Sequence, residues 1–83
     1  MKKAVLDVED LYDLGFVYQG KEYLDYRDFY EWWVIYKGDS ELHITYDYDK
    51  HGVFQRGTIE FNGEQLKGRD IQKKDVELLI ELM

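Results

Sequence analysis

The sequence predicts an α+β fold in a single domain, residues 1–83: a short N-terminal helix, an antiparallel meander sheet of three to five strands and a C-terminal amphipathic helix. Three observations predict it. Apolar residues recur at helical spacing only near the two ends, they alternate with polar residues in the middle, and Asn62-Gly63 marks a tight hairpin. Because the helices are separate from the strands along the chain, we expect both helices to cover one face of the sheet.

The N-terminal helix is predicted to begin after Asp7 and to end before Gly15. Asp7 is a good N-cap residue, because its carboxylate accepts hydrogen bonds from the free N–H groups of the first turn. Leu11 and Leu14 share a face at helical spacing, and Gly15 suits the left-handed conformation that ends many helices. Two turns of helix are not stable alone, so this helix must pack on the rest of the domain.

The middle of the chain is predicted to form strands. Residues 16–18 indicate a short strand, residues 30–37 a strand rich in aromatic and β-branched residues, and residues 42–47 a strand with clean alternation. Residues 58–61 alternate in the same way. Residues 19–29 carry aromatic side chains among charges without a clear period, and we expect an irregular or weakly β segment there.

The chain is predicted to end in a hairpin and a helix. Both positions of a two-residue hairpin turn need positive φ, which Asn62-Gly63 supplies, so Phe61 should pair with Glu64 and residues 64–67 should form a short edge strand. Residues 73–83 have helical periodicity. The predicted buried stripe of that helix comprises Val76, Leu79, Ile80 and Met83.

The turn at Gly38-Asp39 decides which face of strand 30–37 meets the core, because this strand is apolar on both faces. A two-residue loop directs Trp33 and Ile35 inward, opposite Ile44 and Leu42, and a three-residue loop reverses every side chain. We expect the two-residue loop, since glycine at its first position suits a type II′ turn. The outward residues are then Tyr30, Trp32, Val34 and Tyr36.

An outward tryptophan among tyrosines has two interpretations. Residues 19–29 could fold over it and complete a second small core, or the aromatic residues could form a binding patch, since Trp and Tyr dominate many protein interfaces. The sequence leaves both open. For the second interpretation, the candidate partner-binding residues are Tyr30, Trp32 and Tyr36 with the nearby carboxylates Asp25, Asp28 and Glu31.

The net charge of −7 lies entirely in the first half of the chain. Residues 1–49 hold twelve acids and five bases, whereas residues 50–83 hold six of each. An acidic field repels nucleic acid and anionic membranes and attracts basic protein surfaces, although a charge of this size also serves solubility. We therefore expect a protein partner with a basic surface, and no direct binding of nucleic acid or membrane.

The sequence offers little for catalysis, so we expect no enzyme, no cofactor and no metal site. There is no cysteine, and Ser40, the one serine, falls in a predicted turn. Asp47 and Asp49 begin a segment with calcium-loop spacing, but His51 is a poor calcium ligand and Thr58 stands where that loop needs a bidentate Glu. The absence of cysteine and of a signal peptide or long apolar run predicts a cytoplasmic protein.

Three stretches carry a resemblance to a known group of proteins. They are residues 41–49 (ELHITYDYD), residues 59–68 (IEFNGEQLKG) and the KKDVELLI helix, together with Leu14-Gly15-Phe16. With them the chain resembles small, acidic, uncharacterised proteins of phages and prophages of Gram-positive bacteria. The resemblance implies a non-enzymatic accessory protein that binds a host or phage protein.

Two functions are compatible with that resemblance. The first is an acidic inhibitor or DNA mimic of a host nucleic-acid-handling or defence protein, with the carboxylates of residues 7–31 facing a basic groove. The second is a self-associating structural or assembly component, in which an open sheet face or an edge strand forms a homodimer.

Overall fold

The computed structural model describes residues 6–66 and 72–83, and it confirms the predicted α+β fold. Five antiparallel strands form one sheet in the order β1-β2-β3-β4-β5, each hydrogen-bonded to its neighbour in sequence. The elements are α1 (Val8–Leu14), β1 (Val17–Tyr23), a short 3₁₀ helix (Asp25–Arg27), β2 (Phe29–Lys37), β3 (Ser40–Tyr48), β4 (Phe54–Phe61), β5 (Glu64–Gln65) and α2 (Lys73–Leu82).

Helix α1 has the predicted ends. The Asp7 side chain accepts a hydrogen bond from the backbone N–H of Asp10 at 2.9 Å, and Gly15 takes a left-handed conformation with φ +96°. The Gly15 and Phe16 N–H groups donate to the last carbonyls of the helix. These contacts satisfy polar groups that a two-turn helix would otherwise expose. Leu11 is buried, so α1 is held by its packing on the sheet.

The hairpin between β2 and β3 has the predicted two-residue loop. Gly38 has φ +59°, Asp39 has no positive φ, and Lys37 pairs with Ser40 across the turn. The register places Trp33 opposite Ile44 and Ile35 opposite Leu42, as predicted. The sequence alternative with a three-residue loop is therefore excluded.

The core lies between the helices and one face of the sheet. Leu11 of α1 and Val76 of α2 join the inward side chains of the three central strands. Both helices thus cover the same face, as expected. The buried cluster comprises Leu6, Leu11, Phe16, Trp33, Ile35, Leu42, Ile44, Tyr46, Ile59 and Val76.

Residues 19–29, predicted as an irregular or weakly β segment, form the bulged second part of β1, which pairs with β2 as far as Tyr23–Phe29, and then the short 3₁₀ helix. Of the two interpretations that the sequence left open, a segment folded over the outward face of β2 is not the one observed. The segment lies beside β2 as the edge of the sheet, because its backbone groups are satisfied by strand pairing.

The C-terminal elements follow the prediction, and α2 also has a capping box that was not predicted. Asn62 and Gly63 have φ of +50° and +87°, and Phe61 pairs with Glu64. Strand β5 includes only Glu64 and Gln65, and residue 67 of the predicted edge strand lies outside the described residues. Helix α2 starts with a capping box between Gln72 and Asp75. Val76 is buried, and Leu79, Ile80 and Met83 pack against the core.

Candidate functional site

The face of the sheet turned away from the two helices, which we call the open face, carries an aromatic row along β2. The row consists of Tyr30, Trp32, Val34 and Tyr36, which alternate with the inward residues of the same strand. No helix of the described residues lies on this face. Antiparallel sheets often leave one face to water, but such a face is normally polar. The β2 row departs from that rule.

The row packs against its neighbours as a thin apolar layer. Val34 is only 2% exposed, although it lies outside the core cluster on the other face. Its cross-strand partners are Val17 on β1 and His43 on β3. The Tyr36 ring lies edge-on to the His43 imidazole, with 6.4 Å between centroids. Side chains of the sheet itself therefore shield Val34.

Trp32 stands between small neighbours. It pairs with Gly20 on β1 and with Thr45 on β3, and Thr58 of β4 is opposite Thr45. A side chain built at Gly20 would meet no atom within 4 Å. The Tyr30 ring lies 5.4 Å from the Trp32 ring along the strand. Both rings are half-buried, and the residues beside Trp32 are smaller than it.

Carboxylates surround the aromatic row. The strand pairing puts Glu22, Glu41, Asp47 and Glu60 on the open face, with Arg56 as the strand cation among the described residues there. Arg56 is already engaged, since its Nε lies 2.8 Å from Asp47 Oδ2. The open face is therefore apolar along its centre and acidic around it.

The lysines of β1 and β2 lie on the opposite face. Lys37 Nζ donates to the Ile80 carbonyl of α2 at 2.9 Å, and Lys21 Nζ sits 4.6 Å from the centroid of the Phe29 ring. Lys37 has the parity of the inward residues of β2, and Lys21 pairs with Glu31, which has the same parity. The charges of both lysines therefore lie away from the carboxylates of the open face.

His43 has an unusual environment on the open face. Its Nε2 atom is buried and makes no hydrogen bond within the described residues, although Glu41 Oε1 lies 3.2 Å away. Glu60 is its cross-strand neighbour on β4. The imidazole, whose side chain is 28% exposed, therefore lies in the layer beside Val34 with Glu41 next to it.

The six predicted partner-binding residues fall in three places. Tyr30, Trp32 and Tyr36 lie together on the open face. Asp25 and Asp28 lie at the β1–β2 connection, within and directly after the 3₁₀ helix. Glu31 points to the opposite face, where its Oε1 accepts a hydrogen bond from the Tyr18 hydroxyl at 3.3 Å. Glu31 is therefore not part of the open face.

A second aromatic cluster, which the sequence did not predict, occupies the helix-side face near the β1–β2 connection. The Phe29 ring stacks on the Tyr48 ring at 5.0 Å, and Tyr23 and Phe54 lie against them. Burial raises the pKa of Tyr48 above its ordinary value. The parity of Tyr23 depends on a bulge in β1, which was the signal missing from the sequence.

Asp49 has a structural role in the loop between β3 and β4. Asp49 Oδ1 accepts hydrogen bonds from the N–H groups of His51 and Val53 at 2.8 and 2.9 Å, and these bonds hold the pKa of Asp49 below its ordinary value. Asp49 thus organises the β3–β4 loop. Within residues 6–66 and 72–83, no three His, Cys, Asp or Glu residues are arranged to hold a metal ion.

The comparisons with known proteins leave the site to be judged by its own geometry. No family model, no curated protein and no solved structure matches the chain. Among the described residues, neither helix has the length and apolar character needed to cross a membrane. The open face is therefore the strongest candidate for a functional surface.

Proposed function

We propose that this protein is a non-enzymatic, phage-type accessory protein that binds another protein through its open face. One observation carries the proposal: an aromatic row on a sheet face that no described helix covers. Trp and Tyr are the residue types most enriched among interface hot spots. None of the row belongs to the core cluster on the other face, and Tyr36 at its end is 67% exposed, although Val34 is buried.

The charges of the open face favour a partner with a basic surface. Glu22, Glu41 and Glu60 form no ion pair with a Lys or Arg side chain within the described residues, so a partner's Lys or Arg can reach them. Complementary charge around an apolar centre speeds association and fixes orientation. A host nucleic-acid-handling or defence protein, whose working surface is basic, fits this pattern, and binding there in the cytoplasm would inhibit it.

Self-association is the alternative, and the same uncovered row favours it. Two copies that met through their open faces would bury both aromatic rows, but they would also bring two sets of like-charged carboxylates together. Sedimentation velocity at micromolar concentration separates the two proposals. A monomer at neutral pH excludes the dimer, whereas a dimer lost on Tyr36→Ala would support it.

Photo-crosslinking tests the proposed function directly. A benzophenone amino acid replaces Tyr36 on the open face or, as a control, Tyr23 on the helix-side face; the two side chains are 67% and 68% exposed. In cells that produce the protein, we expect a discrete crosslinked protein from position 36 that is absent from position 23. High salt during binding in lysate should reduce the yield. Equal crosslinking from both positions would contradict a function of the open face.

A further inference from the structure

We propose that the partner segment bound by the open face is a basic amphipathic helix that lies along β2. This inference rests on the proposed function and names the form of the partner. Three features carry it: the dimensions of the aromatic row, the relief on both sides of that row, and the position of the carboxylates.

The aromatic row has the length of a short helix. Tyr30 to Tyr36 spans six residue steps, or about 20 Å at roughly 3.3 Å per step. A helix of about 13 residues has the same length. A helix is about 10 Å wide, which is two strand spacings, so it would contact β2 and reach over β3.

The relief of the open face leaves room for such a helix. Trp32 and Tyr30 are half-buried large side chains, and next to Trp32 the smaller Thr45 and Thr58 follow on β3 and β4. Large side chains of a helix can lie over these threonines while its apolar stripe packs on Trp32. A helix here would give the sheet a layer on each face, which is a common arrangement for sheets that are apolar on both sides.

The carboxylates stand on both flanks of the row. Glu22 is on the β1 side, and Glu60 is on the β4 side. Glu41 closes the end of the row beside Tyr36. A helix with an apolar stripe and Lys or Arg on both borders of the stripe matches this distribution. A helix with acidic borders would be repelled.

Addition of a strand to the sheet is disfavoured as the binding mode. The β1 edge is interrupted by a bulge at Gln19, whose side-chain Nε2 donates to the Val17 carbonyl at 3.2 Å. At the other edge β5 pairs with only Glu60 and Phe61, so the described residues leave residues 54–58 of β4 without a neighbouring strand there. Bulges and short edge strands hinder pairing with another chain. The aromatic row and its carboxylates lie on the face, so the partner is expected there.

Helix α2 of a second copy is the competing occupant. Its Leu78 and Leu82 are exposed and four residues apart, so they form an apolar stripe. Its borders include Glu77 and Glu81, however, and these would meet the carboxylates of the open face. Charge complementarity therefore favours a basic partner over a second copy.

Three synthetic peptides of about 18 residues, or about 27 Å of helix, test the inference on the intact protein. The first places Leu on one helical face with Lys at its borders. The second has the same composition in an order without helical periodicity, and the third replaces Lys with Glu. We expect the first to bind at least about tenfold more tightly than the others, measured by calorimetry. Amide shift changes in NMR spectra should concentrate in β2 and β3.

Matched variants locate the binding. Tyr36→Ala and Trp32→Ser should each weaken binding of the Lys peptide about tenfold, whereas Tyr23→Ala should leave it unchanged. Glu22→Gln with Glu60→Gln should reduce the salt dependence. Equal binding of the scrambled peptide, or shift changes centred on α1 and α2, would overturn the inference. If no peptide binds while position 36 still crosslinks to a partner, the helix is wrong and the proposed function stands.

Discussion

At the scale of single residues, Tyr46 shows how the small core accommodates a polar atom. Its ring is buried between Trp33 and Phe54, with centroid distances of 5.3 and 5.5 Å. Its hydroxyl donates a hydrogen bond to the backbone carbonyl of Leu6. Because a buried hydroxyl without a partner is costly, this bond also fixes the segment that leads into α1.

Tyr46→Phe should therefore lower the free energy of unfolding by about 1 kcal/mol at neutral pH, because Leu6 loses its donor. Burial raises the pKa of Tyr46 above its ordinary value of 10.0, so the folded state favours the neutral phenol. The contribution of the phenol is complete below pH 10.0 and declines as pH rises above that value towards the folded-state pKa. Urea unfolding at about pH 8 and pH 11 measures both effects.

The control for Tyr46 is Tyr26→Phe, since the Tyr26 side chain is 90% exposed. We expect no change in unfolding free energy from it at neutral pH. The Tyr46→Phe variant should also lose less stability than the wild type between the two pH values. An equal loss in both proteins would contradict the role assigned to the buried hydroxyl.

Gly57 gives a second prediction at this scale. A Cβ at this position would lie 3.1 Å from Cε1 of the Tyr46 ring, and the backbone there has no positive φ. Gly57→Ala should destabilise the protein by about 1–3 kcal/mol, because the buried ring has little space to move. In a double-mutant cycle with Tyr46→Leu the cost of the alanine should shrink. An unchanged cost would show that the backbone, and not the ring, is responsible.

At the scale of elements, the sequence predicts the helices and strands in which apolar residues recur with a regular period. Strand β3 alternates without interruption, and Gly38-Asp39 determined its register with β2. The full length of β1 and the start of β4 were not predicted, because each lies beside a bulge: one between Tyr18 and Gly20, the other at Asp47 and Tyr48. An extra residue shifts the alternation by one, so the apolar pattern cancels across the bulge.

The two helices are joined by an ion pair that the sequence did not reveal. Lys73 Nζ of α2 lies 3.2 Å from Asp10 Oδ1 and 3.8 Å from Asp13 Oδ2 of α1. A lysine in the first turn of a helix is unfavourable for the helix dipole. The contact with α1 gives it a structural role.

Lys73→Gln should raise the pKa of Asp10, which the Lys73 hydrogen bond and charge now hold below the ordinary value of 3.8. In the wild type, the stabilising contribution of the pair is present above pH 3.8 and is lost as pH falls through the lower folded-state pKa. Carboxyl-carbon NMR titration measures the shift. Lys74→Gln, one residue along α2, is the control and should leave the Asp10 titration unchanged.

At the scale of the whole molecule, charge governs how copies meet. The chain has a net charge of −7 at neutral pH and a pI near 4.7. We expect a monomer in sedimentation velocity at neutral pH, and association near pH 4.7, where the repulsion vanishes. The association should be weaker for Tyr36→Ala than for Tyr23→Ala. A stable dimer at neutral pH would contradict this and favour self-association.

The layered architecture was predictable from sequence, but the function of its faces was predictable only in part. The order of helices and strands determines two layers, and the turn parity identified Trp32 and Tyr36 as outward. Whether another segment covers those residues depends on long-range packing. The pattern of residues 19–29 has no clear period, so it does not predict where that segment packs. Glu31 was misplaced for a simpler reason: neighbours in sequence on a strand lie on opposite faces.

The adjacent tryptophans of β2 have a consequence for spectroscopy. Trp33 is 2% exposed among apolar groups, whereas Trp32 lies one residue away on the uncovered face. Their indoles should therefore emit at different wavelengths, with Trp33 reporting on unfolding and Trp32 on occupancy of its face. Replacing either tryptophan by Phe leaves a single indole, whose emission then reports on one of these two events. The two adjacent tryptophans are thus separate optical probes, one of unfolding and one of occupancy of the open face.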